Sequence, residues 1–157
     1  MPNLSVVQKM NQLASLIKNG RIDPLIRDTA LKVIRGLAER NELSEAKALF
    51  SFVRDRIRYV RDPYGEDVFE DARFTLSRRS GDCDATTVLL GSLLQSVGFP
   101  YRIKVFSKDG RRFTHVAGQV GLPKSAPQKW VTVDASAPRP MGWENPVFKY
   151  SKILQVN

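Results

Sequence analysis

The sequence predicts an α+β domain, with helices first and an antiparallel sheet after them, on two observations. Apolar residues recur at helical spacing through the first 60 residues and again over 84–97. Beyond Pro100 the texture changes to β-branched and aromatic runs with near alternation.

The elements follow in order. Leu4, Val7, Met10 or Asn11, Ala14 and Ile17 or Lys18 approximate a 3.6 period that stops at Asn19-Gly20. Asp23-Pro24 is an N-cap followed by proline at the first helical position, and Leu25, Ala30, Leu31, Ile34 and Leu37 or Ala38 supply that second helix's apolar face. Ser44 can cap a third helix carrying Leu49, Phe50, Val53, Ile57 and Val60, which "RDPYGED" (61–67) breaks. Residues 66–80 are polar and predict a loop with one short helical turn. Ala85, Val88, Leu89, Leu93 and Val97 mark the most apolar helix, closed by Gly98-Phe99-Pro100. "YRIKVFS" (101–107), "FTHVAGQVGL" (113–122) and "KWVTVDAS" (129–136) read as a three-stranded antiparallel meander, joined by a hairpin turn at "KDGR" and a loop at "PKSAPQ". The tail is Pro-rich and then weakly strand-like.

A chain of 157 residues with 42% hydrophobic content is expected to form one domain, 1–157. It subdivides into an N-terminal helical extension (1–42), a core (43–140) and a C-terminal tail (141–157). One cysteine excludes an internal disulfide. The N-terminus lacks the basic-then-apolar order of a signal peptide, and no apolar run approaches the roughly 18 residues of a membrane span. The expectation is a cytoplasmic protein without membrane association. A formal net charge of +9 leaves nucleic acid open as a partner, but the arginines are interspersed with acids. Even the densest patch, "VRDRIRYVRD" (53–62), has the apolar spacing of an ordinary amphipathic helix.

The lone cysteine sits in "RSGDCDA" (79–85), at the first turn of the most apolar helix. Free backbone N–H groups and the helix dipole favour a thiolate there and can stabilise an oxyanion. The only histidine, His115, is the available proton acceptor, and Asp134, ending the next strand, could orient it. By alternation Phe113, His115 and Ala117 share one face, and Trp130, Thr132 and Asp134 share another. Register decides whether those faces coincide. Singly, each residue has a plainer reading: a buried apolar cysteine, a structural histidine, a turn-forming aspartate. A metal site would need more than one Cys and one His, so no metal and no cofactor is expected.

Three segments together resemble a family. "GDCDATTVLLGSLLQSVGFPYRIKV", "THVAGQV" and "WVTVDAS" resemble the cysteine, histidine and aspartate motifs of the transglutaminase-like superfamily, in the same order. "LFSFVRDRIRYVRDP" is similar to the helix that often precedes them, so the resemblance covers about residues 45–140. It implies a papain/transglutaminase-like core with Cys83 as nucleophile, His115 as general acid and base, and Asp134 as orienter. Val116 and Ala117 stand where many members have an aromatic residue after the histidine. For the oxyanion, the Cys83 backbone N–H is the first assignment, with Tyr59 and Tyr64 as side-chain candidates. The superfamily also suggests a bacterial or bacteriophage source.

The implied reaction is thioester-forming acyl transfer on an amide bond of a protein or peptide substrate, resolved by water in a peptidase or amidase. Hydrolysis comes first because a small domain has little material to exclude water, and protein-glutamine transamidation is the alternative. A catalytically silent basic binding module, using Arg54, Arg56 and Arg58, is the rival from another class. Asp82 and Asp84 would oppose thiolate formation by like-charge repulsion. They are expected to point away, capping the helix or pairing with Arg78 or Arg79. Oligomeric state is not legible.

Overall fold

The computed structural model describes residues 4–61 and 69–157. Helix α1 (Val6–Gly20) opens on a reciprocal cap, in which Ser5 accepts from the Gln8 N–H and the Gln8 side chain accepts from Ser5. Its buried face is Met10, Leu13, Ala14 and Ile17, at the i, i+3, i+4, i+7 positions. Val7 stays exposed, and Leu13 replaces it in the core. Helix α2 (Pro24–Arg35) is capped by Asp23 as expected, but it buries Ile26, Ala30 and Ile34. Ala30 and Ile34 are buried as predicted, while Ile26 takes the place of Leu25, which stays on the surface.

Helix α3 (Glu42–Arg56) is capped by Asn41 rather than Ser44. Ser44 is the third helical residue and closes the box: its N–H donates to Asn41 Oδ1 (2.9 Å), and its hydroxyl accepts the Asn41 N–H (3.1 Å). The helix also stops before Val60. Arg58–Tyr59 forms a short strand, β1, in parallel register with β2 (Ser80–Gly81), because the Val60 N–H is taken by the Gly81 carbonyl. The predicted helical turn is α4 (Ala72–Arg78), capped by Asp71 and ended by Arg79 at φ 60°. Most of the predicted breaker at 61–67 lies outside the described residues.

Helix α5 (Cys83–Ser96) is the centre of the molecule, buried from Asp84 to Leu94. Helices α1, α2, α3 and α4 all pack on it, so the N-terminal helices share its core. Fully burying each Leu, Ile or Phe stabilises by about 1.5–3 kcal/mol before entropy is counted. The sheet has four antiparallel strands in the order β5-β4-β3-β6, with β3 Tyr101–Ser107, β4 Phe113–Leu122, β5 Lys129–Val133 and β6 Tyr150–Val156. The three-stranded meander therefore gains a fourth strand from the tail. β6 is an edge strand with mostly exposed side chains, which explains its faint apolar pattern.

Tyr101 ties sheet to helix. Its ring is fully buried and its hydroxyl donates to the Thr87 carbonyl at 2.9 Å. Gly91 on α5 and Gly118 on β4 flank the ring so closely that a Cβ at either would overlap it.

Candidate functional site

Asp82 starts α5, its carboxylate accepting the Ala85 N–H at 2.9 Å. The helix therefore begins at Cys83, whose N–H belongs to the first turn and has no intrahelical acceptor. The β1–β2 pairing fixes the approach, because Gly81 is held opposite Tyr59 two residues before the thiol. Cys83 is half-buried.

His115 reaches the site through a β-bulge. Phe106 pairs with His115, but Ser107 pairs with Phe113, so the register slips at Thr114. Phe113 and His115 consequently do not share a face as strict alternation predicted. Phe113 packs against the core, while His115 lies cross-strand from Phe106. The β4–β5 register pairs Gln119 with Thr132. Gln119 shares its face with His115 and Thr132 shares its face with Asp134, so histidine and aspartate coincide on one side of the sheet.

The contact is short: His115 Nε2 lies 2.7 Å from Asp134 Oδ2. The other carboxylate oxygen accepts from Ser136, at 2.6 Å from its hydroxyl and 3.1 Å from its N–H. Both oxygens of the buried Asp134 are thus engaged, which fixes its plane. With Nε2 used, Nδ1 is the ring nitrogen left to serve Cys83, whose side chain acts on the same imidazole.

Burial by itself would lower the His115 pKa. The hydrogen bonds to Asp134 and Cys83, together with the negative charge of both, overcome it and raise the value from 6.5 to about 10. For Asp134, burial pushes upward, but the His115 hydrogen bond and charge and the two Ser136 hydrogen bonds hold the carboxyl below its ordinary value. Tyr59 is raised by burial and by the negative charges of Cys83, Asp82 and Asp134, against Arg61. Tyr59 is half-exposed, pairs with Gly81 and lines the cavity that Ala135 and Ser136 also wall. Tyr64 lies outside the described residues.

Asp84 does not pair with Arg78 or Arg79. It is buried against α1, with Oδ1 3.3 Å from Lys9 Nζ. Arg78 pairs with Glu70 instead, and Arg79 lies over the Phe52 ring. Of the basic patch, Arg54 is committed to Asp55 through Nε and Nη2 and to the Arg139 carbonyl through Nη1, while Arg56 and Arg58 are exposed. An open cavity of about 580 Å³ adjoins the site, walled by Arg54, Ile57, Tyr59, Ala135, Ser136 and Arg139. Among the described residues no group of three or more His, Cys, Asp and Glu side chains is arranged to hold a metal ion, and no helix is long and apolar enough to cross a membrane.

Sequence reasoning missed Ser136, Phe106 and Phe148. Ser136 had a local signal, since Asp-x-Ser favours a turn in which the aspartate accepts from the residue two on. Phe106 and Phe148 pack beside His115, which the three-dimensional course of the tail decides.

The model of the transglutaminase-like superfamily matches residues 28–135 of the sequence. This chain belongs to that superfamily. No curated protein sequence matches it. Among solved structures, a proposed cysteine protease from Cytophaga hutchinsonii is 13% identical with a TM-score of 0.60, over 99% of this chain and 58% of that one. A proposed protease from Parabacteroides distasonis is 13% identical with a TM-score of 0.64, over 94% and 29%. Legionella pneumophila LapG is 17% identical with a TM-score of 0.59, over 97% and 86%. The chain thus spans little more than half of the first of these proteins and under a third of the second. At these identities the likeness is one of fold.

Proposed function

We propose that the protein is a cysteine-dependent acyl-transfer enzyme that hydrolyses amide bonds of a peptide or protein through a thioester on Cys83. The observation carrying this reading is the 2.7 Å contact between His115 Nε2 and Asp134 Oδ2, on an imidazole whose proton affinity is raised by Asp134 and by Cys83. Cys83 Sγ attacks the carbonyl carbon and forms the C–S bond. The oxyanion is met by the Cys83 N–H at the head of α5, with the Tyr59 hydroxyl, on the wall of the adjoining cavity, as the side-chain candidate. His115 gives its proton to the amine as the C–N bond breaks. A water molecule, losing a proton to His115, then attacks the thioester. The C–S bond breaks, and the acid leaves. Asp134, held by Ser136, keeps the imidazole oriented and stabilises its cationic form. The adjoining cavity is open and can admit both an extended peptide and water, which favours hydrolysis over transamidation.

The test uses p-nitrophenyl acetate and mass spectrometry of the intact chain, which has one thiol and one histidine. The reading expects a burst of nitrophenolate and an acetyl adduct on Cys83 that decays in water, both lost in Cys83→Ala and slowed at least about a hundredfold in His115→Ala. Added cadaverine should take only a minor share of the acyl group. Equal acetylation of wild type and His115→Ala would sink the proposal, and quantitative capture by the amine would replace hydrolysis with transamidation.

A further inference from the structure

We infer that Phe148 is a positioning residue of this site, whose ring lies parallel to the His115 imidazole, offset to its side, and holds its plane. The inference rests on the reading of Cys83, His115 and Asp134 as acyl-transfer machinery, and it adds a residue beyond the 28–135 segment that carries the superfamily match.

The two ring centroids are 5.5 Å apart and the planes differ by 5°. Phe106 closes the group at its side, 5.7 Å from His115 with a 36° tilt and 5.6 Å from Phe148. This is an anchored contact. The chain leaving Asp134 returns to the sheet where the Gly142 N–H donates to the Thr132 carbonyl (2.8 Å). The Glu144 carboxylate there accepts from the Thr132 hydroxyl (2.5 Å) and the Lys104 ammonium (2.8 Å). Next to Phe148, the Lys149 N–H donates to the Ser107 carbonyl at 3.0 Å, and β6 begins one residue later. The ring is pinned on both sides along the chain.

Two consequences follow for the imidazole. The second side-chain torsion of histidine is soft, so one hydrogen bond to Asp134 fixes a point but leaves the plane free to tilt. A parallel ring alongside limits that freedom and keeps the imidazole oriented for Cys83. The electron-rich face of Phe148 also favours the cationic over the neutral imidazole. The charged and titratable groups on His115 are Asp134 and Cys83. Lys104, over the far Phe106 ring at 5.3 Å, is paired with Glu144.

The experiment is the rate of Cys83 alkylation by iodoacetamide against pH in wild type, His115→Ala, Phe148→Leu and Phe148→Tyr, with thermal unfolding alongside. Leucine keeps apolar bulk without a ring, and tyrosine keeps the ring. At neutral pH Phe148→Leu should slow alkylation roughly tenfold and move the pH profile toward that of His115→Ala, and Phe148→Tyr should restore it. Superimposable wild-type and Phe148→Leu profiles, with His115→Ala still distinct, would overturn this inference alone. A wild-type profile identical to that of His115→Ala would overturn the proposed function, and this inference with it. A variant that fails to fold leaves a measurement on the wild type. The sole histidine should show ring protons shifted upfield by the Phe148 ring current, and unshifted protons would overturn the stacking.

Discussion

Lys9 Nζ, on the first helix, lies 3.3 Å from Asp84 Oδ1, the carboxylate next in sequence to Cys83. A buried negative charge beside a thiol opposes its ionisation, and α1 supplies the compensating cation. Lys9→Met is expected to destabilise the fold by about 1–3 kcal/mol, because the buried Asp84 loses a charged partner. Asp84→Asn in the same background should recover most of that loss. Chemical denaturation of the two variants checks the pair. A double variant no more stable than Lys9→Met would remove Asp84 as the cause.

Asp82→Ala removes the α5 N-cap and should cost about 1 kcal/mol. Alkylation of Cys83 should keep its dependence on His115, since Asp82 hydrogen-bonds to Ala85 rather than to the thiol. Thermal unfolding and the alkylation rate, read together, separate the roles. An unchanged melting temperature with alkylation lost would assign Asp82 to the chemistry.

The His115–Asp134 pair predicts a pH signature. The His115 pKa is raised in the fold, so its stabilisation is complete below about 6.5 and lost as pH rises through about 10. The Asp134 pKa is lowered, so its stabilisation is present above about 3.8 and lost as pH falls through its folded value. The difference in melting temperature between wild type and His115→Ala should therefore be largest between about pH 4 and pH 6.5 and shrink steadily toward pH 10. A difference independent of pH would mean that the imidazole contributes packing alone.

Gly118→Ala should be among the most damaging single changes, at about 3 kcal/mol or more, because the added carbon overlaps the buried Tyr101 ring. Tyr101→Phe, which leaves the ring and removes only the hydroxyl bond to Thr87, should cost about 1 kcal/mol. Urea titrations of the two variants test the ranking. Equal losses would show that the strand can shift to accept the methyl group.

The candidate site was legible because its signals are local. Gly81-Asp82-Cys83 before an apolar run marks a capped helix head, and His115 and Asp134 each stand in a strand with visible alternation. Ser44 shows where local reading fails. Asn41 and Ser44 are both competent caps, and the box they form together makes Asn41 the first. Val60 and β6 fail differently: a short parallel pairing and an exposed edge strand get their structure from a distant partner and leave little apolar pattern of their own.

By itself, then, the amino-acid order determined the helix-then-sheet architecture, the thiol at a helix N-terminus, and which histidine and aspartate could serve it. Hydrophobic periodicity, caps and turn residues act over a few positions, and all of these are properties of short segments. Tertiary structure alone decided that His115 and Asp134 face the same side, that a bulge at Thr114 turns Phe113 inward, and that Lys9 answers Asp84. It also decided that Phe148 lies parallel to the imidazole at its side. Strand register, the packing of α1 on α5 and the return of the tail depend on contacts far apart in the chain, and no short stretch of sequence carries them.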